Sequence, residues 1–243
     1  VTIITLLQHE NVMMKAHHSH SYPLLSALLF FFFVTWSSSG SLLSIWLHQE
    51  VGLKPGDTGI IFSVLSVSAL FAQVCYGFIQ DKLGLRKNLL WYITVLLILS
   101  GPAYMVFGYL LKINVLLGSI FGGIYIGLTF NGGIGVLESY TERVARQSQF
   151  EFGKARMWGS LGWAVATFFA GLLFNINPHL NFAVASCSGL VFFILLARLR
   201  VSSAPHAMQE AVSGGKVTLE DALRLLTLPR FWALVFFVIG TCI

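Results

Sequence analysis

In the stretch GGIGVLESYTERVARQSQFEFGKARMWGSLGW, residues 132–163, two charges stand against apolar sequence: Glu138 closes a glycine-rich run and Arg156 opens the next. Arg156, Ser160 and Trp163 fall at i, i+4 and i+7, so one helix puts a guanidinium, a hydroxyl and an indole on the same face. That set matches what a sugar offers, which is hydroxyls to hydrogen-bond and an apolar C–H face to stack on an aromatic ring. Glu138 can accept hydroxyl protons and also neutralise Arg156, because either charge alone near a bilayer is costly. A plainer reading stays open on these residues alone. Glu138 stands 23 positions after Val115, roughly 35 Å at ~1.5 Å per residue, so it can equally mark the end of a membrane span, with Arg156 an interfacial cation. Glu142, Arg143 and Arg146 already supply interfacial charge between the two, which weighs for a special role.

The elements that must position these residues are membrane helices. Of 243 residues, 56% are hydrophobic, 21 are Phe and only 10% are charged, too little polar surface for a water-soluble globule. The apolar runs have the roughly 20 residues that a helix needs to cross a ~30 Å hydrocarbon core, and they lack the alternation of an outer-membrane barrel. Six spans are expected, Tyr22 to Leu47, Thr58 to Gln80, Asn88 to Leu110, Val115 to about Leu137, Phe152 to Phe174 and Asn181 to Ala197, with a seventh opening near Phe231. Four parts follow: a polar lead over 1–21, a six-span bundle over 22–197, a linker over 198–228 and the start of the seventh span over 229–243. Of the 15 Lys and Arg, all but Lys54 and Lys112 fall in the N-terminal lead or in or beside the even-numbered connections. Those connections and the N-terminus are therefore expected in the cytoplasm.

The net charge of +5 is spread over short loops, so it reports membrane orientation and gives no expectation of nucleic acid. Cys75, Cys187 and Cys242 are isolated in apolar segments, with no CxxC and no zinc spacing, and read as small buried hydrophobes. Neither a metal nor a cofactor is expected. H-E-x-x-H and G-x-S-x-G do not occur, and an enzyme is not expected. The chain opens on Val1 and stops at Ile243 within an apolar run, and is read as part of a longer protein. The stretch from Val201 to Leu228 is long and polar, and a short amphipathic helix is expected from Leu219 to Leu226. It breaks the rhythm of short connections, as a linker between two six-span bundles does.

The second cytoplasmic connection, GFIQDKLGLRKN, sets Gly77, Asp81, Lys82, Gly84, Arg86 and Lys87 in a fixed order. A small residue at the helix end permits close approach, Asp81 can accept from a helix N-terminus, Gly84 allows a tight turn, and the cations anchor the inner face. A charged turn obeying the positive-inside rule explains much of this. The order G-x-x-x-D-[KR]-x-G-x-[KR]-[KR] nevertheless resembles the signature loop of the major facilitator superfamily. DTGIIFSVLS, QDKLGLRKNLLW, GSIFGGIYIG and FEFGKARMWGSLGWA further resemble the oligosaccharide:proton symporters, the lactose, raffinose and sucrose permease group, over about residues 24–243.

The resemblance implies an all-α membrane fold: the six-helix N-terminal bundle of a transporter built as a 3+3 inverted repeat, then a central cytoplasmic loop and a truncated seventh helix. It implies a bacterial inner-membrane location and proton-coupled uptake of a disaccharide or oligosaccharide by alternating access. The partners implied are the sugar, a proton, the lipid membrane and a missing C-terminal six-helix bundle that carries the proton-handling groups. Another solute:proton symporter of the superfamily, or a half-bundle that does not transport, are the alternatives. In the family the Glu and Arg matching Glu138 and Arg156 bind sugar, and the Trp matching Trp163 stacks on a galactosyl ring. Ser160 agrees with the sucrose branch, where the lactose branch has Cys. Glu138 and Trp163 agree with the lactose branch, where the sucrose branch has Asp and Tyr. Ile134, one turn before Glu138, is larger than the residue usual there. The substrate, galactoside or sucrose, is left open.

Seven glycines between Gly118 and Gly135 are expected to make span four smooth, through helix sliding or ordinary packing. Phe33, Trp36 and Ser37 are expected to face the cavity, and Phe30 to Phe32 the lipid. His48 and His179 read as interfacial.

Overall fold

The computed structural model describes residues 2–83, 87–199 and 232–233, with side chains from Ser21 onward except those of Asp81 and Leu83. Val1–Ser202 form one compact unit and Ser203–Ile243 a second, of which only Trp232 and Ala233 are described. The 201–228 linker, the expected helix from Leu219 to Leu226, Cys242 and most of the seventh span lie outside the described residues.

The regular structure of the described residues is all helical, with no strand among them. The helices are α1 (Thr2–Gly40), α2 (Leu43–Trp46), α3 (Pro55–Leu83), α4 (Asn88–Ile98), α5 (Ser100–Ile113), α6 (Val115–Ile126), α7 (Gly133–Gln147), α8 (Phe152–Ile176) and α9 (His179–Arg198). Two π-helical turns, Leu47–Val51 and Gly127–Gly132, continue α2 and join α6 to α7. Five helical stretches are long and apolar enough to cross a membrane, or six if α4 and α5 count as one bent span.

The expected span from Asn88 to Leu110 is bent in the structure. α4 and α5 meet at 60°, and the cause lies at Pro102, whose ring lacks an N–H and clashes with the carbonyl four residues back, at Ile98, where α4 ends. The N–H of Gly101 is satisfied across the bundle by Ser186 Oγ of α9, at 2.8 Å. Membrane helices tolerate such breaks where a neighbour supplies the missing hydrogen bond. α1 itself runs from Thr2 to Gly40, and the stretch of it long and apolar enough to cross a membrane begins at Ser21.

α1 lies against α8 and α9, α3 against α6 and its π-helical continuation, and α4 and α5 against α9. Hydrogen bonds between helices reinforce this packing: Ser188 Oγ donates to the Phe31 carbonyl at 3.0 Å, Tyr125 to the Leu96 carbonyl at 2.6 Å and Asn181 to the Ala170 carbonyl at 3.1 Å. In lipid, where burial of apolar groups brings helices together only weakly, such contacts and close packing of small residues carry the association. Gly162 is the clearest case, because a Cβ there would stand 2.5 Å from the Phe30 carbonyl oxygen.

Phe32 does not face lipid as expected. It is fully buried, edge-on to Trp36 and Phe130 and tilted against Phe192. Cys75 and Cys187 are exposed, not buried. Their spans are apolar on nearly every face, so hydropathy alone does not separate the side toward lipid from the side toward other helices.

Candidate functional site

Glu138 belongs to the middle of α7, which continues to Gln147 and packs against α3, α4, α1 and α8. The charge is therefore inside a helix and does not end one. The preceding π-helical turn is built from GLTFNG. An inserted residue of this kind rotates everything after it by about 100° relative to a regular helix, so the register of Glu138 depends on Gly127–Gly132.

Arg156 stands in the first turns of α8. Its Nε donates to Glu138 Oε1, and its Nη1 donates to Ser160 Oγ at 3.4 Å. The side chains of both charged residues stay about one-third exposed, 33% and 32%, which leaves carboxylate and guanidinium atoms accessible to a ligand. The guanidinium carbon lies over the Phe33 ring, 4.5 Å from its centroid, a cation–π contact that anchors the pair to α1.

Trp163, two turns along α8, meets α1 at Phe33, edge-on at 6.2 Å, and at Trp36, edge-on at 5.4 Å. Its backbone carbonyl accepts from Ser37 Oγ at 3.2 Å, and Ser37 Oγ also stands 2.7 Å from Thr167 Oγ1. Trp36 in turn stacks on Phe130 of the π-helical turn, centroids 5.9 Å apart and planes within 10°. Small residues on α8 make this approach possible, since a Cβ on Gly159 would stand 2.7 Å from the Phe33 ring.

The expected residues thus come together as three, Glu138, Arg156 and Ser160, joined by hydrogen bonds, with Trp163 tied to the same cluster through Phe33. Ser160 is exposed at its rim. Ile134 is half-buried on α7, four positions before Glu138, and packs against the apolar core. Phe33 and Trp36 enter the cluster from α1, and Phe130 from the π-helical turn. No spacing rule connects Phe130 to Trp163; a glycine-rich run next to an aromatic residue was the available signal.

The loop motif is described in part. Gly77 lies on the exposed side of α3, and a Cβ there meets nothing within 4 Å, so no described helix makes the close approach expected of it. Lys82 is exposed. The Asp81 side chain, Gly84 and Arg86 lie outside the described residues. Lys87 donates to the Leu199 carbonyl beyond the end of α9, and burial pushes its ammonium pKa down. Among the described residues no group of His, Cys, Asp and Glu has a metal-binding arrangement.

The LacY proton/sugar symporter family model matches residues 14–243. The chain is 40% identical to the sucrose permease of Escherichia coli over 222 residues, which are 90% of this chain and 52% of that protein. It is 39% identical to the raffinose permease of Escherichia coli over 230 residues, 93% of this chain and 54% of that protein. It is 42% identical to the lactose permease of Citrobacter freundii over 200 residues, 81% and 48%. The chain spans about half the length of these curated relatives, which are transporters and not enzymes. With its membrane-length helices and a match over nearly its whole length, it is a multi-pass membrane protein that belongs to the LacY proton/sugar symporter family.

Proposed function

We propose that this chain is the sugar-binding N-terminal half of a transporter that takes up a disaccharide or larger oligosaccharide together with protons. One observation carries the reading: Arg156 is held between the Glu138 carboxylate and the Ser160 hydroxyl, over Phe33, on the helix that presents Trp163. The guanidinium donates to sugar hydroxyls, the carboxylate accepts from them, and the indole offers a face to the C–H side of a pyranose ring. The relatives' names, which are permeases of sucrose, raffinose, lactose and melibiose, all specify substrates with at least two sugar units. The site belongs near the midplane between two six-helix bundles that rock to expose it to each side in turn. The proton-handling groups fall to the second bundle. The bacterial inner membrane is the location, with the N-terminus in the cytoplasm, a placement that the charge distribution supports. The domain limits given above, with the bundle over 22–197 and the linker over 198–228, and the conformational role of the loop from Gly77 to Lys87 belong to the same proposal.

Uptake of labelled lactose, melibiose, raffinose and sucrose by cells expressing this chain together with its second half is the test. Accumulation of at least one of them, abolished by a protonophore, is the expected result. No accumulation of any, with the protein shown to be in the membrane, contradicts it. Proton-driven accumulation by vesicles that hold residues 1–243 alone would contradict the division of labour between the halves.

A further inference from the structure

Trp36 has a half-buried indole whose N–H has no hydrogen-bond partner among the described residues. Its ring plane is fixed by the stack on Phe130 and the tilted contact with Phe33 at 5.8 Å. It stands at 87° to Trp163, so two indoles form a corner beside the Arg156 and Glu138 pair. The N–H is not sealed into the core, as that of Trp46 is. Gly40, one helical turn on, keeps its edge open: a Cβ there would lie 3.5 Å from Trp36 Cδ1 and 3.7 Å from Nε1, where an acceptor would otherwise approach. A Trp N–H at a partly apolar site ordinarily finds an acceptor, and the described residues leave this one open to an acceptor from a ligand.

Resting on the sugar-binding reading above, we infer that Trp36 recognises the second sugar unit of the substrate. Glu138, Arg156 and Trp163 engage one ring. Trp36, level with Trp163 along the parallel helix α1, donates its N–H to a hydroxyl or ring oxygen of the next unit and lays its edge against that ring. Trp36 then selects disaccharides over monosaccharides, while the charge pair is needed for both. A site specified by a hydrogen bond discriminates because an analogue without the matching group leaves the donor unpaired.

The experiment measures binding to the full protein, with its second half, for lactose, melibiose and sucrose and for the methyl glycosides of galactose and glucose. Trp36→Phe keeps an aromatic ring on Phe130 and removes the N–H together with the second ring of the indole. Its affinity for the preferred disaccharide falls roughly three- to tenfold, the range of one net hydrogen bond, and its affinity for the methyl glycoside is unchanged. Gly40→Ala, which leaves Trp36 intact and crowds the N–H, shifts the same preference in the same direction. Equal losses for disaccharide and monosaccharide, or no loss in either variant, overturn the inference while leaving the sugar site standing. Failure of the unaltered protein to bind any of these sugars removes the sugar site and the inference together.

Discussion

The guanidinium of Arg156 lies 4.5 Å from the centre of the Phe33 ring. Through that contact α1 holds a charge pair whose two members come from α7 and α8. The pair therefore depends on three helices, and an uncharged residue of a fourth stretch, Phe130, braces it through Trp36. A cation over an aromatic face gains about 0.5 to 2 kcal/mol, more as water is excluded.

Phe33→Leu is expected to weaken sugar binding by roughly two- to thirtyfold, the affinity equivalent of that range. Leucine keeps most of the apolar volume, so the yield of folded protein in the membrane should change little. Binding measured on the full protein checks this, and unaltered affinity would show that the ring merely fills space.

Gly162→Ala should destabilise the bundle, because the new Cβ meets a backbone carbonyl at 2.5 Å and that carbonyl has no rotamer with which to yield. Overpacking of this kind costs about 1 to 3 kcal/mol. Gly153→Ala, on the same helix with nothing within 4 Å, is the matched comparison. Thermal unfolding in detergent should show a lowered midpoint for Gly162→Ala and none for Gly153→Ala; equal midpoints would contradict the close α1 to α8 approach.

Membrane orientation can be checked with single cysteines introduced after Cys75, Cys187 and Cys242 are replaced. A cysteine at Ser148, between α7 and α8, should be protected in intact cells from an impermeant maleimide, and one at Asn177, between α8 and α9, should be labelled. The reverse pattern would invert the proposed topology.

The spans and the pairing of Glu138 with Arg156 were legible because both follow from one-dimensional rules, the length of apolar runs and the rarity of unpaired charge in oily sequence. Ser160 and Trp163 followed from helical spacing alone. The bend at Leu99 was within reach through Pro102, but hydropathy averages over a proline and returns one span. The π-helical turn at Gly127–Gly132 escaped because glycine density signals packing and irregular helix alike. Phe32 and Phe33 adjoin in a run of four identical residues, yet one sits in the core beside Phe192 and the other beneath Arg156. Nothing in such a run says which face meets which neighbour; Gly159 and Gly162, more than a hundred positions later, decide it.

Sugar binding by three variants of the full protein tests the central claim most directly. Arg156→Lys loses the planar guanidinium that reaches Glu138 and Ser160 together, and Glu138→Gln loses the charge. Glu142→Gln removes a carboxylate from an exposed i, i+4 pair with Arg146 on the same helix, where about 1 kcal/mol or less is at stake. Loss of one charged partner in a sugar-filled, desolvated site costs about 2 to 5 kcal/mol, roughly thirtyfold to several thousandfold in affinity. The account predicts that Arg156→Lys and Glu138→Gln lose binding on that scale at near-normal expression while Glu142→Gln binds as the unaltered protein does. Equal binding by all three would show that Glu138 and Arg156 are interfacial charges and not a sugar site.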